Sequence, residues 1–127
     1  MKTQIKSKWL LAAGIYNLVW GILSIALPTL QLDILGIPTS DIVVILWQCI
    51  GMIVGVYGIA YIIAATDPNT HWPVVLVGLL GKIFGIMGML FYIANGTIPV
   101  EFGLTCCLND LFWIPAFASI LSKRNPA

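Results

Sequence analysis

The sequence predicts an all-α fold: an integral membrane four-helix bundle of antiparallel up-down topology, with the N-terminus and the C-terminus both cytoplasmic. Three observations carry that expectation. Residues 9–32 and 42–66 contain no charge, 72–100 contain only Lys82, and 102–122 contain only Asp110. A membrane span needs about 20 apolar residues, so four helices fit and use nearly all of the chain as a single domain, 1–127. The composition agrees, with 60% hydrophobic and 9% charged residues where a soluble domain carries about 25% charged. The third observation is charge placement. Lys2, Lys6 and Lys8 precede the first stretch and Lys123 and Arg124 follow the last, whereas Asp33, Asp41 and Glu101 occupy the connections on the other side. Lys and Arg collect on the cytoplasmic side of a membrane.

The first predicted helix spans 9–27, with Trp9 at the inner interface and Pro28 ending it. A basic start followed by an apolar run also describes a signal peptide, but this run exceeds an h-region of ~7–15 residues. Leu27-Pro28-Thr29 also lacks small cleavage-site residues, so the helix is expected to be retained. Residues 28–41 form the longest connection. Leu30, Leu32, Ile34, Leu35 and Ile37 make it apolar, to lie on the membrane surface or close over the bundle. Pro38-Thr39-Ser40-Asp41 then offers a hydroxyl or carboxylate cap to the second helix, 42–65.

A short turn, Thr66-Asp67-Pro68-Asn69-Thr70-His71, leads to the third helix, 73–94. Trp72 is placed for the interface, and Pro73 for the first turn, where a missing N–H costs nothing. Asn95-Gly96 stops this helix, and the fourth runs over 100–121. Connections this short make neighbouring helices antiparallel.

Glycine spacing suggests how the helices pack. Gly78, Gly81, Gly85 and Gly88 lie along one face of the third helix, and Gly51, Gly55 and Gly58 repeat the rhythm on the second. Small residues let membrane helices approach closely, so the second and third helices are expected to form a tight pair. The first helix carries a related stripe of Gly14, Asn17, Gly21 and Ser24. On the fourth, Cys106 or Cys107, Asp110, Trp113 and Phe117 share a side. Pro115 there frees the carbonyl of Leu111, inviting a kink or local hydration.

Lys82 and Asp110 are the most informative residues. A lone charge at mid-bilayer costs roughly 2.5–3.5 kcal/mol on insertion scales and is rarely left facing lipid. The two are expected to face each other. At 1.5 Å per residue, Asn17, Lys82 and Asp110 all fall within about 5 Å of the midplane. A polar cluster of Asn17, Lys82, Asn109, Asp110 and Tyr61 follows, with Tyr16 and Tyr57 as further donors. Asn109 points about 100° from Asp110 and has a neighbouring helix or a second subunit as its alternative. Lys82 and Asp110 form either a buried pair that fixes helix packing or a binding and transport site. Buried pairs return little net stability, so packing alone is a poor reason to keep one.

Cys49, Cys106 and Cys107 fall in the outer half, where the second and fourth helices could meet. Vicinal thiols can hold soft metals, but C-x-x-C spacing is missing, and cysteine also serves as a small apolar helix residue. His71, the single histidine, sits at the cytoplasmic turn and cannot alone build a zinc or two-histidine haem site. No metal site or cofactor is therefore expected. With no Ser/His/Asp set, phosphate loop or paired carboxylates, an enzyme is disfavoured, and a net charge of +1 offers no surface to nucleic acid.

The blocks YGIAYIIAATDPNTHWPVVLVGLLGKIFGIMG (Tyr57–Gly88), NDLFWIPAF (Asn109–Phe117) and YNLVWGIL (Tyr16–Leu23) resemble a group of small bacterial inner-membrane proteins. The arrangement is similar to the broad DoxX-like set of four-helix membrane proteins. That resemblance implies a bacterial origin and a compact four-helix fold, and supplies no catalytic residues. DoxX is associated with a quinol oxidase complex, but no quinone or haem motif matches here.

The expected function is that of a multi-pass bacterial inner (plasma) membrane protein that binds or transports a small polar solute or a proton at Lys82 and Asp110. Its expected partners are the bilayer and a second copy or another membrane subunit. The alternatives are a non-catalytic accessory or scaffold subunit of a larger membrane complex, and a membrane thiol or soft-metal handling protein.

Overall fold

The computed structural model describes residues 2–124, with side chains from Lys8 onward. Met1, residues 125–127 and the side chains of Lys2 and Lys6, which enter the orientation argument, lie outside the described part. The described chain is all-helical: α1 (Lys2–Ala26), α2 (Pro28–Ile34), α3 (Asp41–Thr66), α4 (Trp72–Ala94) and α5 (Val100–Ser122). The four long helices start and stop close to the expected positions, except that α1 begins earlier. Nothing between Lys2 and Lys8 disfavours a helix.

Pro28 ends α1 as expected, because it lacks the N–H that would continue the ladder. It also opens α2 from its first turn, so the apolar connection is a helix rather than an extended loop. This segment packs on α1 and α3 alone, at the end of that pair, and leaves Leu30 and Ile34 exposed. Leu32 is fully buried, and the Gln31 side-chain carbonyl accepts a 2.8 Å hydrogen bond from the Trp47 indole. Gly36, at φ +75°, ends α2 in a Schellman turn: the Ile37 N–H donates to the Leu32 carbonyl at 2.9 Å and the Gly36 N–H to the Asp33 carbonyl at 3.1 Å. Ser40 caps α3 by accepting from the Val43 N–H.

The outside of the bundle is apolar. Ile22, Ile45, Val56, Phe84, Met87, Phe91, Leu108 and Phe112 are all exposed. Lys8–Ala26, Asp41–Thr66, Trp72–Ala94 and Val100–Ser122 are long and apolar enough to cross a membrane. An apolar surface this extensive is unfavourable in water and suits acyl chains, so the chain is a multi-pass membrane protein.

The helices associate as two pairs. α1 packs most extensively on α3 and α4 packs on α5, while α1–α5 and α3–α4 contacts are much slighter. Among the described residues the backbones of α3 and α5 do not approach, nor do those of α1 and α4, so these helices lie diagonally. The expected tight pairing of the second and third helices, α3 with α4, is therefore incorrect. The α3 glycines turn to α1 instead. A Cβ on Gly58 would lie 2.6 Å from the Gly14 carbonyl oxygen, and one on Gly21 would lie 2.8 Å from the Gly55 Cα. Glycine spacing defines a face but leaves the partner open, and α1 offers α3 a matching stripe. On α4, by contrast, Gly81 and Gly88 have nothing within 4 Å.

At the end of the bundle where the termini lie, Leu10, Ala13, Tyr61, Ala64, Val75, Trp113, Phe117 and Ile120 form one buried cluster. At the other end, Trp47 packs against Trp20 and Phe102. Between these two plugs the bundle is hollow.

Candidate functional site

The hollow is a cavity of about 250 Å³ to which all four long helices contribute. α1 supplies Asn17, α3 supplies Tyr57 and Tyr61, α4 supplies Lys82, and α5 supplies Asn109 and Asp110. The five residues expected to cluster therefore share one cavity. Asn109 lines it beside Asp110 rather than turning to another subunit. Of the two further donors, Tyr57 is in the lining, whereas Tyr16 instead packs its ring 5.9 Å from that of Trp113.

Lys82 is only 7% exposed, although it occupies the middle of a membrane-spanning helix. Its ammonium lies 5.3 Å from the centroid of the Phe117 ring and 6.0 Å from that of Tyr61, within cation–π range. Those rings meet edge to face at 5.0 Å. They can sit there because of Gly78, where a Cβ would fall 2.9 Å from Phe117 Cε2 and closer still to the Tyr61 hydroxyl.

Asp110 approaches α4 one turn beyond Lys82. Its Oδ2 lies 3.0 Å from where a Gly85 Cβ would stand, so the bare backbone at Gly85 makes room for the carboxylate. Both charges turn inward, as expected, but they do not pair directly. Among the described residues no ion pair within 4.0 Å is formed, and Lys82 and Asp110 act on each other across the cavity. Equal depth in the membrane sets their level but not their lateral separation, which the glycine faces of α4 determine.

Among the described residues Lys82 and Asn17 have no hydrogen-bond partner, yet no enclosed side-chain nitrogen or oxygen there lacks one. Their polar ends therefore open into the cavity. A lysine ammonium supplies donors only and an ionised carboxylate only acceptors, whereas the amides and phenols supply both. The arrangement can bind a small group that hydrogen-bonds on several sides, or hold water between two opposite charges.

The sequence reading missed the role of Phe117 as the ring beside Lys82, and missed Val54, Val77 and Gly81 as lining. Phe117 lies seven residues from Asp110, hence on its face of α5, and that spacing is the signal available in the sequence. α5 continues through Pro115, which is exposed.

The other candidates lie apart. Cys49, Cys106 and Cys107 are free thiols, respectively exposed, half-buried and buried. The second and fourth predicted helices, α3 and α5, are diagonal and meet near these thiols through the rings of Trp47 and Phe102, while Cys49 itself is exposed. Among the described residues no group of three or more His, Cys, Asp or Glu side chains could hold a metal ion. His71 precedes α4 without capping it. In the same turn, the Thr70 hydroxyl and N–H donate to Asp67 and hold its carboxyl below the usual carboxylate range.

No family model, curated protein or solved structure matches this chain.

Proposed function

We propose that this is a bacterial inner-membrane protein of antiparallel up-down topology, with both termini cytoplasmic. It binds a small polar solute or a proton in the Lys82–Asp110 cavity and passes it across or within the membrane. No catalytic role is proposed. Kinship with DoxX-like proteins belongs to this reading. The order of contacts supports the antiparallel arrangement, since Gly14 meets Gly58 while Gly21 meets Gly51.

One observation carries the functional reading: Lys82 is only 7% exposed, yet among the described residues its ammonium has no ion-pair or hydrogen-bond partner and opens into the cavity. A charge kept only to fix helix packing needs a partner close enough to offset its desolvation. Here the partner's place is a cavity, which suits an exchangeable ligand. Lys82 donates to the ligand, Asp110 balances the charge or exchanges a proton, and Asn17 and Asn109 orient the bound group.

Two measurements test this. In proteoliposomes under an imposed membrane potential, wild-type protein should carry protons, and Asp110→Asn should abolish the flux. If the cargo is a solute, a panel of small polar compounds should include one that raises the unfolding temperature of the wild type but not of Lys82→Met. Finding neither effect with correctly assembled protein rejects the reading.

The open glycine face of α4 favours a second reading, an accessory subunit that docks there onto another copy or another membrane protein. Gly81 and Gly88 leave backbone accessible beside exposed Phe84, Met87 and Phe91. Mild-detergent purification with native mass spectrometry separates these readings, because an obligatory partner would co-purify.

A further inference from the structure

We propose that the occupant of this cavity is a single-chain amphiphile with an uncharged, hydroxyl-bearing head, admitted sideways from the bilayer between α3 and α4. This deepens the proposed function and rests on the cavity being a binding site.

The direction of entry follows from which lining residues are exposed. Tyr57, Val77 and Gly81 are, and all three belong to the α3–α4 edge. The remaining lining residues are buried or half-buried. α3 and α4 touch only slightly, and Gly81 faces open space. The equally slight α1–α5 gap is filled by aromatic rings: Trp9 lies 5.7 Å from Phe112 and 6.0 Å from Trp113, and Trp113 meets Tyr16. One lateral gap is plugged and the other is open to lipid.

Beside the polar cavity lies a second hollow of about 260 Å³ lined by Tyr57, Ala60, Pro73, Val74 and Val77. The two hollows share Tyr57 and Val77. The second one has no polar side chain apart from Tyr57, and runs along α3 and α4 toward the end of the bundle where the termini lie. A polar chamber joined edge to edge with an apolar groove matches a head and a tail.

Charge complementarity selects the head. Lys82 and Asp110 together are neutral, so an anionic head would meet Asp110 and a cationic head would meet Lys82. A hydroxyl accepts from the ammonium through oxygen and donates its hydrogen to the carboxylate, and it also suits the amides of Asn17 and Asn109. A chamber of about 250 Å³ has room for a glycerol-sized head.

The test uses the full chain in nanodiscs with a monoacylglycerol carrying a photoactivatable diazirine in its tail, and locates adducts by peptide mass spectrometry. Adducts should concentrate between Tyr57 and Ala60 and between Pro73 and Val77. Gly81→Leu sets its Cβ in open space at the gap and improves helix propensity, so it should fold normally and cut labelling about tenfold. Lys82→Met should cut it similarly, and a fatty acid or alkane with the same diazirine tail should label at most about a tenth as well. Labelling spread evenly round the bundle, equal labelling by the fatty acid, no response to Gly81→Leu, or intermolecular cross-links showing a second copy over the gap would each overturn the inference. If amphiphile labelling fails while a water-soluble solute still raises the unfolding temperature of the wild type but not of Lys82→Met, lateral entry is rejected and the proposed binding site survives.

Discussion

The two helix pairs use glycine for opposite purposes. In the α1–α3 pair, Gly14, Gly21 and Gly58 bring backbone against backbone, leaving no room for a methyl group. In the α4–α5 pair, Gly78 accommodates the Tyr61 and Phe117 rings, Gly85 accommodates the Asp110 carboxylate, and Gly81 borders an opening. The first pair is a close-packed wall that contributes the amide of Asn17 and the phenols of Tyr57 and Tyr61. The second holds both charges. Apolar surface gives membrane helices no reason to prefer each other over lipid, so close packing sets how firmly a pair holds. The loosely joined α3–α4 edge is where the molecule can open.

The largest test of this contrast is a methyl group added on each side. Gly58→Ala places a Cβ against the Gly14 carbonyl and the Leu18 N–H, which are backbone atoms that cannot swing away. It should destabilise the protein by about 2–3 kcal/mol, at the upper end of overpacking effects, as read by thermal unfolding in detergent. Gly81→Ala meets nothing and should be neutral or stabilise by up to about 1 kcal/mol through helix propensity. Equal effects at both positions would abolish the distinction between wall and opening.

Lys82 and Asp110 sharpen the comparison from the other side. Lys82→Met exchanges a largely buried lysine, whose ammonium meets only aromatic rings and the cavity, for an apolar side chain of similar length and should raise stability by about 1–2 kcal/mol while removing ligand binding. Because no direct ion pair joins the residues, a double-mutant cycle with Asp110→Asn should give a coupling below about 1 kcal/mol, as for solvated pairs. A coupling of about 3 kcal/mol or more would mean a closed pair, and the cavity would be structural.

The end cap should have an intermediate effect. Gln31→Leu leaves the Trp47 indole N–H without its acceptor and should cost about 1–2 kcal/mol. Because α2 covers the end of the α1–α3 pair and lines no part of the cavity, ligand binding should persist in this variant. Loss of binding would show that the cap and the site act together.

The positions of the four spans were legible because charge-free length is a strict requirement of a bilayer, and Lys82 and Asp110 had to turn inward for the same reason. Depth counting brought Asn17 to their level. The partner of each glycine face was not legible, because α3 and α4 carry the same spacing and only three-dimensional fit distinguishes α1 as the partner of α3. α2 was hidden because its seven residues, Pro28–Ile34, alternate polar and apolar after the proline and read equally well as a loop lying on the membrane. The gap between Lys82 and Asp110 was hidden too, since it depends on how far Gly78 and Gly85 let aromatic and carboxylate groups advance.

The smallest effect concerns the turn that joins the two pairs. Asp67 accepts from Thr70 between α3 and α4, and its carboxyl ionises more readily in the folded protein than in the unfolded chain. A depressed folded value contributes stability that is fully present above the unfolded carboxylate range, near ~3.9, and is lost as pH falls through the folded value. Thr70→Val removes the hydroxyl donor. It should therefore lower the unfolding temperature slightly at neutral pH, and the difference from wild type should vanish below the folded value. A difference that stays constant across that acid range would assign the effect of Thr70 to packing in the turn, leaving the junction of the two pairs independent of this hydrogen bond.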